Sequence, residues 1–187
     1  RDLTVSRYSA PESLAAIFVA QTHLALDELV GDDADDVEGA LGRRLELAGG
    51  NTSSALKDVA VQDLIDWCRA GSDKRWLRVA PLIPAFEPDQ KSGSIRWSEK
   101  LLQLLRQAPD AASVAAAIVH LVEPNSWTGS RAEVIKSRLP LLDQLADILG
   151  PEHEERVAHW RRSIMRTIEL EQRRELEEQR AQHESFE

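Results

Sequence analysis

The chain has a single cysteine, Cys68, in 187 residues. That excludes an internal disulfide and a cysteine-based zinc site. It has no apolar run near the roughly 18 residues that a membrane-crossing helix needs. The best candidate, SLAAIFVAQTHLAL from Ser13, is interrupted by Gln21, Thr22 and His23. The first residues do not read as a secretory leader, so a cytoplasmic location and no membrane partner are expected. Arg1 stands where a free-standing chain would have methionine, so the sequence reads as a piece of something longer. Basic residues are also short, 23 against 32 acidic ones, for a net charge of −9. A chain this acidic repels polyanions. The one stretch with a basic surplus is 61–138, where 11 basic residues face 9 acidic ones.

Catalytic and metal-binding patterns are missing too. No Gly-x-x-x-x-Gly-Lys-Ser/Thr spacing is present to cradle phosphate. The run GDDADDVEG from Gly31 fails as a calcium loop, since Val37 takes the third ligand position counted from Asp33 and no glutamate follows at the twelfth. His153-Glu154 is followed by Val157 where a zinc-protease helix needs its second histidine. His153 and His159 lie on opposite faces of a helix and cannot share an ion locally. No Gly-x-Ser-x-Gly elbow exists, and Cys68 follows Trp67 on a packed helix face. The expectation is therefore no cofactor, no metal and no enzyme activity, with a composite site of scattered residues as the residual route to catalysis.

What is present is helical periodicity. Ser9-Ala-Pro-Glu12 has capping-box spacing with proline in the first turn, and Leu14, Ile17, Phe18, Leu24 and Leu29 follow on one face as far as Gly31. Asp32 to Asp36 favour the positive end of a second helix with Val37, Leu41, Leu45 and Ala48. A third helix, capped within Asn51–Ser54, carries Leu56, Val59, Ala60, Leu64 and Trp67. A fourth follows Asp73 with Trp76, Leu77, Ala80 and Ile83. PAFEPDQKSGSIRW, residues 84–97, reads as the one long loop. Short helices after Ser98 and Asp110 come next, and Ser130-Arg-Ala-Glu133 repeats the capping-box spacing. Pro140 should kink the helix that follows. Gly150-Pro151 makes a stop and restart, and the last helix buries Val157, Trp160, Ile164 and Ile168 before turning polar at Glu169.

The fold expected is all-α: about eight antiparallel helices stacked as hairpins, in an α-solenoid or an irregular bundle, with a projecting C-terminal helix. One domain over 1–168 is expected, with 84–97 as the place for any subdivision, and a charged helical extension over 169–187. RLPLLDQLADILGPEHEERVAHWRRSI, Arg138 to Ile164, resembles a HEAT repeat. Leu139-Pro140-Leu141-Leu142 falls on the proline-kinked first helix and Val157 and Trp160 on the second, with Gly150-Pro151 replacing the family's aspartate turn. RVAPLIPAFEPDQ from Arg78 echoes it. SWTGSRA with the FE-ending terminal helix also resembles the C-terminal helical regions of large bacterial multidomain proteins of NTPase or defence type. These resemblances imply an appended scaffold or sensor module and carry over no catalytic residue.

A non-enzymatic protein-interaction module is thus the leading expectation, its partner another protein or the rest of a parent chain. Trp97 and Trp127 flank the two longer connections, where a tryptophan either plugs a gap between layers or anchors a partner; Arg131 stands beside the second. The alternative is nucleic-acid contact through Lys74, Arg75 and Arg78 near Trp76, joined by Lys136 and Arg138. Anion binding at the helix start Ser130-Arg131 is a weaker reading still, because one glycine and one arginine are a thin signal and capping already explains the motif.

Overall fold

The structure is a computed structural model that describes residues 19–31, 56–89 and 93–184. The capping box at Ser9–Glu12, the acidic run at 32–36, the helix expected over 37–48 and the caps at 51–54 lie outside the described residues. The chain divides into two compact units. One falls within Arg1–Glu87 and Trp97–Ile118, the other comprises Pro88–Arg96 and Val119–Glu187. Each is mainly helical, and no described helix is long and apolar enough to cross a membrane.

In the first unit, α1 (Thr22–Val30), α2 (Val61–Arg69) and α3 (Lys74–Val79) pack against one another. α4 (Glu99–Gln107) lies on α2, and α5 (Ala111–Ile118) contacts α3 and α4. Leu26, Leu64, Trp67, Val79, Leu101, Leu104, Leu105 and Ile118 are sealed from solvent in this core. Cys68 is buried with them, and burial pushes its thiol up to about 12.

Several helical phases differ from the sequence expectation. Leu24 faces solvent, and Ala25, Leu26 and Val30 carry the burial instead. The cause is Gln21, whose φ of −142° and ψ of 53° interrupt the helix and restart its register. Leu56 and Val59 are buried from a turn, because α2 starts only at Val61. Leu77 points outward on α3. The expected loop over 84–97 contains a hairpin of β1 (Phe86–Pro88) and β2 (Ile95–Trp97). Three-residue strands are too short to show alternation, yet Phe86, Ile95 and Trp97 are residue types that suit a pleated surface. Gly93 turns the chain with φ of +69°, and its amide donates to the Asp89 carbonyl at 2.9 Å.

The first unit is tied by two polar clusters. Asp27 Oδ1 accepts from Trp67 Nε1 at 2.8 Å and pairs with Arg75 at 3.0 Å, while the Arg75 guanidinium stacks 4.3 Å above the Trp67 ring. One carboxylate thereby joins α1, α2 and α3. Lys100 Nζ, on α4, donates to the carbonyls of Leu56 at 2.9 Å, Lys57 at 2.5 Å and Val59 at 2.7 Å. That uses all three ammonium protons and fixes the turn preceding α2. Burial pulls the Lys100 pKa below the usual lysine range, with the nearby Asp58 opposing the shift.

In the second unit, α6 (Arg131–Ser137) and α7 (Pro140–Leu149) both pack on α8 (Glu154–Glu184). Pro140 does not kink a continuous helix. It opens α7, after Arg138 and Leu139 close α6, because its missing N–H costs nothing in a first turn. Gly150, at φ +79°, ends α7, and a short 3-10 turn, Pro151–His153, leads into α8. Val157, Ile164 and Ile168 are buried and Trp160 is half-buried. α8 stays engaged beyond Ile168, since Glu171 and Glu175 bond to the start of α6. The extension expected from Glu169 is therefore partly docked.

Lys100→Met removes a charged donor from three carbonyls, and a charged hydrogen bond contributes about 1.5–3 kcal/mol. Urea unfolding should show a loss of that order, with amide exchange quickening first at the start of α2. Unchanged stability would mean that the Lys100 contacts are ornamental.

Candidate interaction surface

The stretch PNSWTGSRAE, from Pro124, forms the corner into α6. Gly129 adopts φ +76°, a backbone state that side chains disfavour, and this turns the chain into Ser130. Ser130 is extended, with φ −75° and ψ 122°, and its Oγ accepts from the Glu133 amide at 3.1 Å. This is the N-cap read from the sequence. The reciprocal half differs: Glu133 pairs with Lys136 at 3.5 Å, and a carboxylate from α8 comes to the helix start. The Ser130 hydroxyl donates to Glu175 Oε2 at 2.7 Å, and the Ala132 amide donates to Glu175 Oε1 at 3.2 Å. An anion does sit on this helix start, but the chain supplies it itself. The Ser130 bond, then the Ala132 amide, hold the Glu175 carboxyl below the usual glutamate range.

Arg131 completes the corner. Its NH1 donates to Glu171 Oε1 at 2.5 Å, its NH2 lies 3.8 Å from Glu123 Oε2, and its guanidinium stacks 4.9 Å from the centre of the Trp127 ring. Thr167 Oγ1 donates to Glu123 at 3.4 Å, bracing that acid from α8. The Arg131 Nε is buried with no hydrogen-bond partner among the described residues. Trp127 remains 46% exposed. A large aromatic is thus held in place on one side and open on the other.

Trp97 has no such exposure. It is fully buried, its ring 5.0 Å from Phe86, so it fills the core beneath the hairpin and offers nothing to a partner. Of the five cations considered for nucleic-acid contact, three belong to the first unit and two to the second. In the first unit, Arg75 is spent on Asp27, on the Trp67 ring and on the Trp67 carbonyl at 3.1 Å. Arg78 donates to the carbonyls of Gly31 and Val30 at the end of α1. Lys74 is exposed at the start of α3. In the second unit, Arg138 donates to the carbonyls of Leu121 at 3.3 Å and Val122 at 3.4 Å, and burial lowers its pKa. Lys136 is exposed and paired with Glu133. Three of the five therefore bind their own main chain.

Glu123, Glu171 and Glu175 escaped the sequence reading. Glu171 and Glu175 are four residues apart, hence on one helix face, but a polar helix full of acids gives no sign of which pair is docked. Among the described residues, no group of three or more histidine, cysteine, aspartate or glutamate side chains is placed to hold a metal ion. No family model matches the chain, and neither a curated protein nor a solved structure matches it.

Because the Glu175 pKa is lowered in the fold, its contribution to stability is present above the ordinary glutamate value and is lost as pH falls through the folded value. Acid titration followed by carboxyl NMR should give Glu175 a midpoint below those of exposed glutamates, with the Ala132 amide moving in step. Glu175→Ala should abolish the Ala132 transition. A Glu175 midpoint at the ordinary value would show that the contact does not persist in solution.

Proposed function

We propose that this chain is a non-enzymatic protein-interaction module, and that Trp127 is its anchor. The observation that carries the reading is an indole half-exposed yet fixed by the Arg131 stack, with Arg131 itself held by Glu171. A pre-positioned aromatic loses little freedom when a partner covers it, and tryptophan is among the residues that dominate interface energies. The α7–α8 pair supports the HEAT-like reading of this region: Pro140 opens the first helix, Gly150-Pro151 makes the corner, and Asp143 meets Arg161 across the pair at 2.5 Å. A scaffold or sensor appended to a larger bacterial protein is the role this suits.

A photoreactive phenylalanine analogue at position 127, in cells of the source organism, should give a discrete cross-linked partner. The same probe at exposed Arg173 should not. Trp127→Ala should then weaken that partner at least about tenfold, as hot-spot truncations do. Identical adducts from both positions, or none from 127, would remove the basis for the reading.

Nucleic-acid contact is the weaker alternative, because Arg75, Arg78 and Arg138 already satisfy carbonyls. Fluorescence anisotropy with single-stranded and duplex oligonucleotides at low salt should show no saturable binding. Binding that falls steeply on a log–log salt plot would restore that alternative.

A further inference from the structure

A second surface in the second unit does not involve Trp127. Between α7 and the first turns of α8 lies an open cleft of about 760 Å³. Its apolar lining is made of compact groups: Ala146 on α7, the Gly150-Pro151 corner one turn further on, and Val157 and Ala158 on α8. Val157 is itself part of the core, so the cleft reaches down to the unit's apolar interior. One end carries two cations, Arg162 and the Arg161 that pairs with Asp143. Toward the Gly150 corner the walls are Asp147 and Glu154, and neither has an ion-pair partner among the described residues. The lining converges no set of buried polar groups, as a site for a small polar ligand would. At the corner end the two carboxylates repel an anionic group.

From the small floor and the two acids without ion-pair partners at the corner end, we propose that this cleft receives a short amphipathic helix of a partner protein. The helix lays one bulky aliphatic side chain over Ala146 and Ala158. A lysine or arginine about one turn away sits over Asp147 and Glu154. Small residues on both walls let a third helix approach closely, and helix-in-groove recognition works through such an apolar anchor with charged neighbours. From Asp143 to Gly150, at 1.5 Å per residue, the cleft is about 10 Å long, enough for two turns. The charge pattern sets the polarity of the guest: an acidic amphipathic helix meets repulsion at the corner end, and a basic one without an aliphatic anchor gains nothing from the floor.

The test is an NMR titration of the isotopically labelled full chain with three synthetic helical peptides of equal length: leucine/lysine, leucine/glutamate and serine/lysine. The leucine/lysine peptide should shift the amides of Ala146, Val157 and Ala158 saturably, and the other two should not. Asp147→Asn with Glu154→Gln removes only exposed charges and should weaken binding about fivefold, as two rim ion pairs would. Ala158→Trp should fill the cleft and abolish binding; should that variant misfold, the charge variants decide. Shifts scattered over other acidic helix faces, equal binding of the serine/lysine peptide, or indifference to the charge variants would each overturn the proposal. Trp127→Ala should leave this titration unchanged, so failure here is separable from failure of the Trp127 anchor.

Discussion

Short helices end often, and each C-terminal end leaves up to four carbonyls without a partner in the helix. The molecule answers this constraint with long cationic side chains. Arg75 reaches the Trp67 carbonyl in the last turn of α2, and Arg78 reaches Gly31 and Val30 beyond α1. Lys100 gathers three carbonyls from the turn before α2, and Arg138 closes the 3-10 turn that ends at Val122. A cation at a helix C-terminus also favours the negative end of the dipole. The basic surplus of the middle stretch is thereby largely consumed in holding the backbone together.

The opposite pole of the same physics appears at α6. Its free amides and positive end draw in Glu175, while Arg131 at its first position draws in Glu171. Both acids come from α8, whose Val157, Ile164 and Ile168 already bind it to the core. The apolar contacts set where α8 lies, and the two carboxylates then fix the corner that carries Trp127. Packing, capping and exposure of the indole are three consequences of one helix position.

The mainly helical character was legible because it rests on local periodicity, on Ser98 and Ser130 as caps, and on Gly150-Pro151 as a stop. Leu101, Leu105, Leu142 and Leu145 fall inside as their spacing requires. The failures had separate causes. Leu24 was misplaced because one residue, Gln21, resets the helical phase. The hairpin was missed because its strands are shorter than any usable alternation. Arg75, Arg78 and Arg138 looked like a polyanion surface because a sequence displays charge and hides the carbonyl it is aimed at. At the candidate site, Trp127 and Arg131 could be named from the corner, but the acids that order them lie about 40 residues away in a helix whose polar faces look alike.

Cys68 is the only thiol in the chain, and it lies sealed in the first unit, far too weakly acidic to ionise at neutral pH. Thiol reagents meet no accessible sulfhydryl on the folded molecule. Labelling by a thiol reagent therefore reports opening of the first unit's interior, read without a tag.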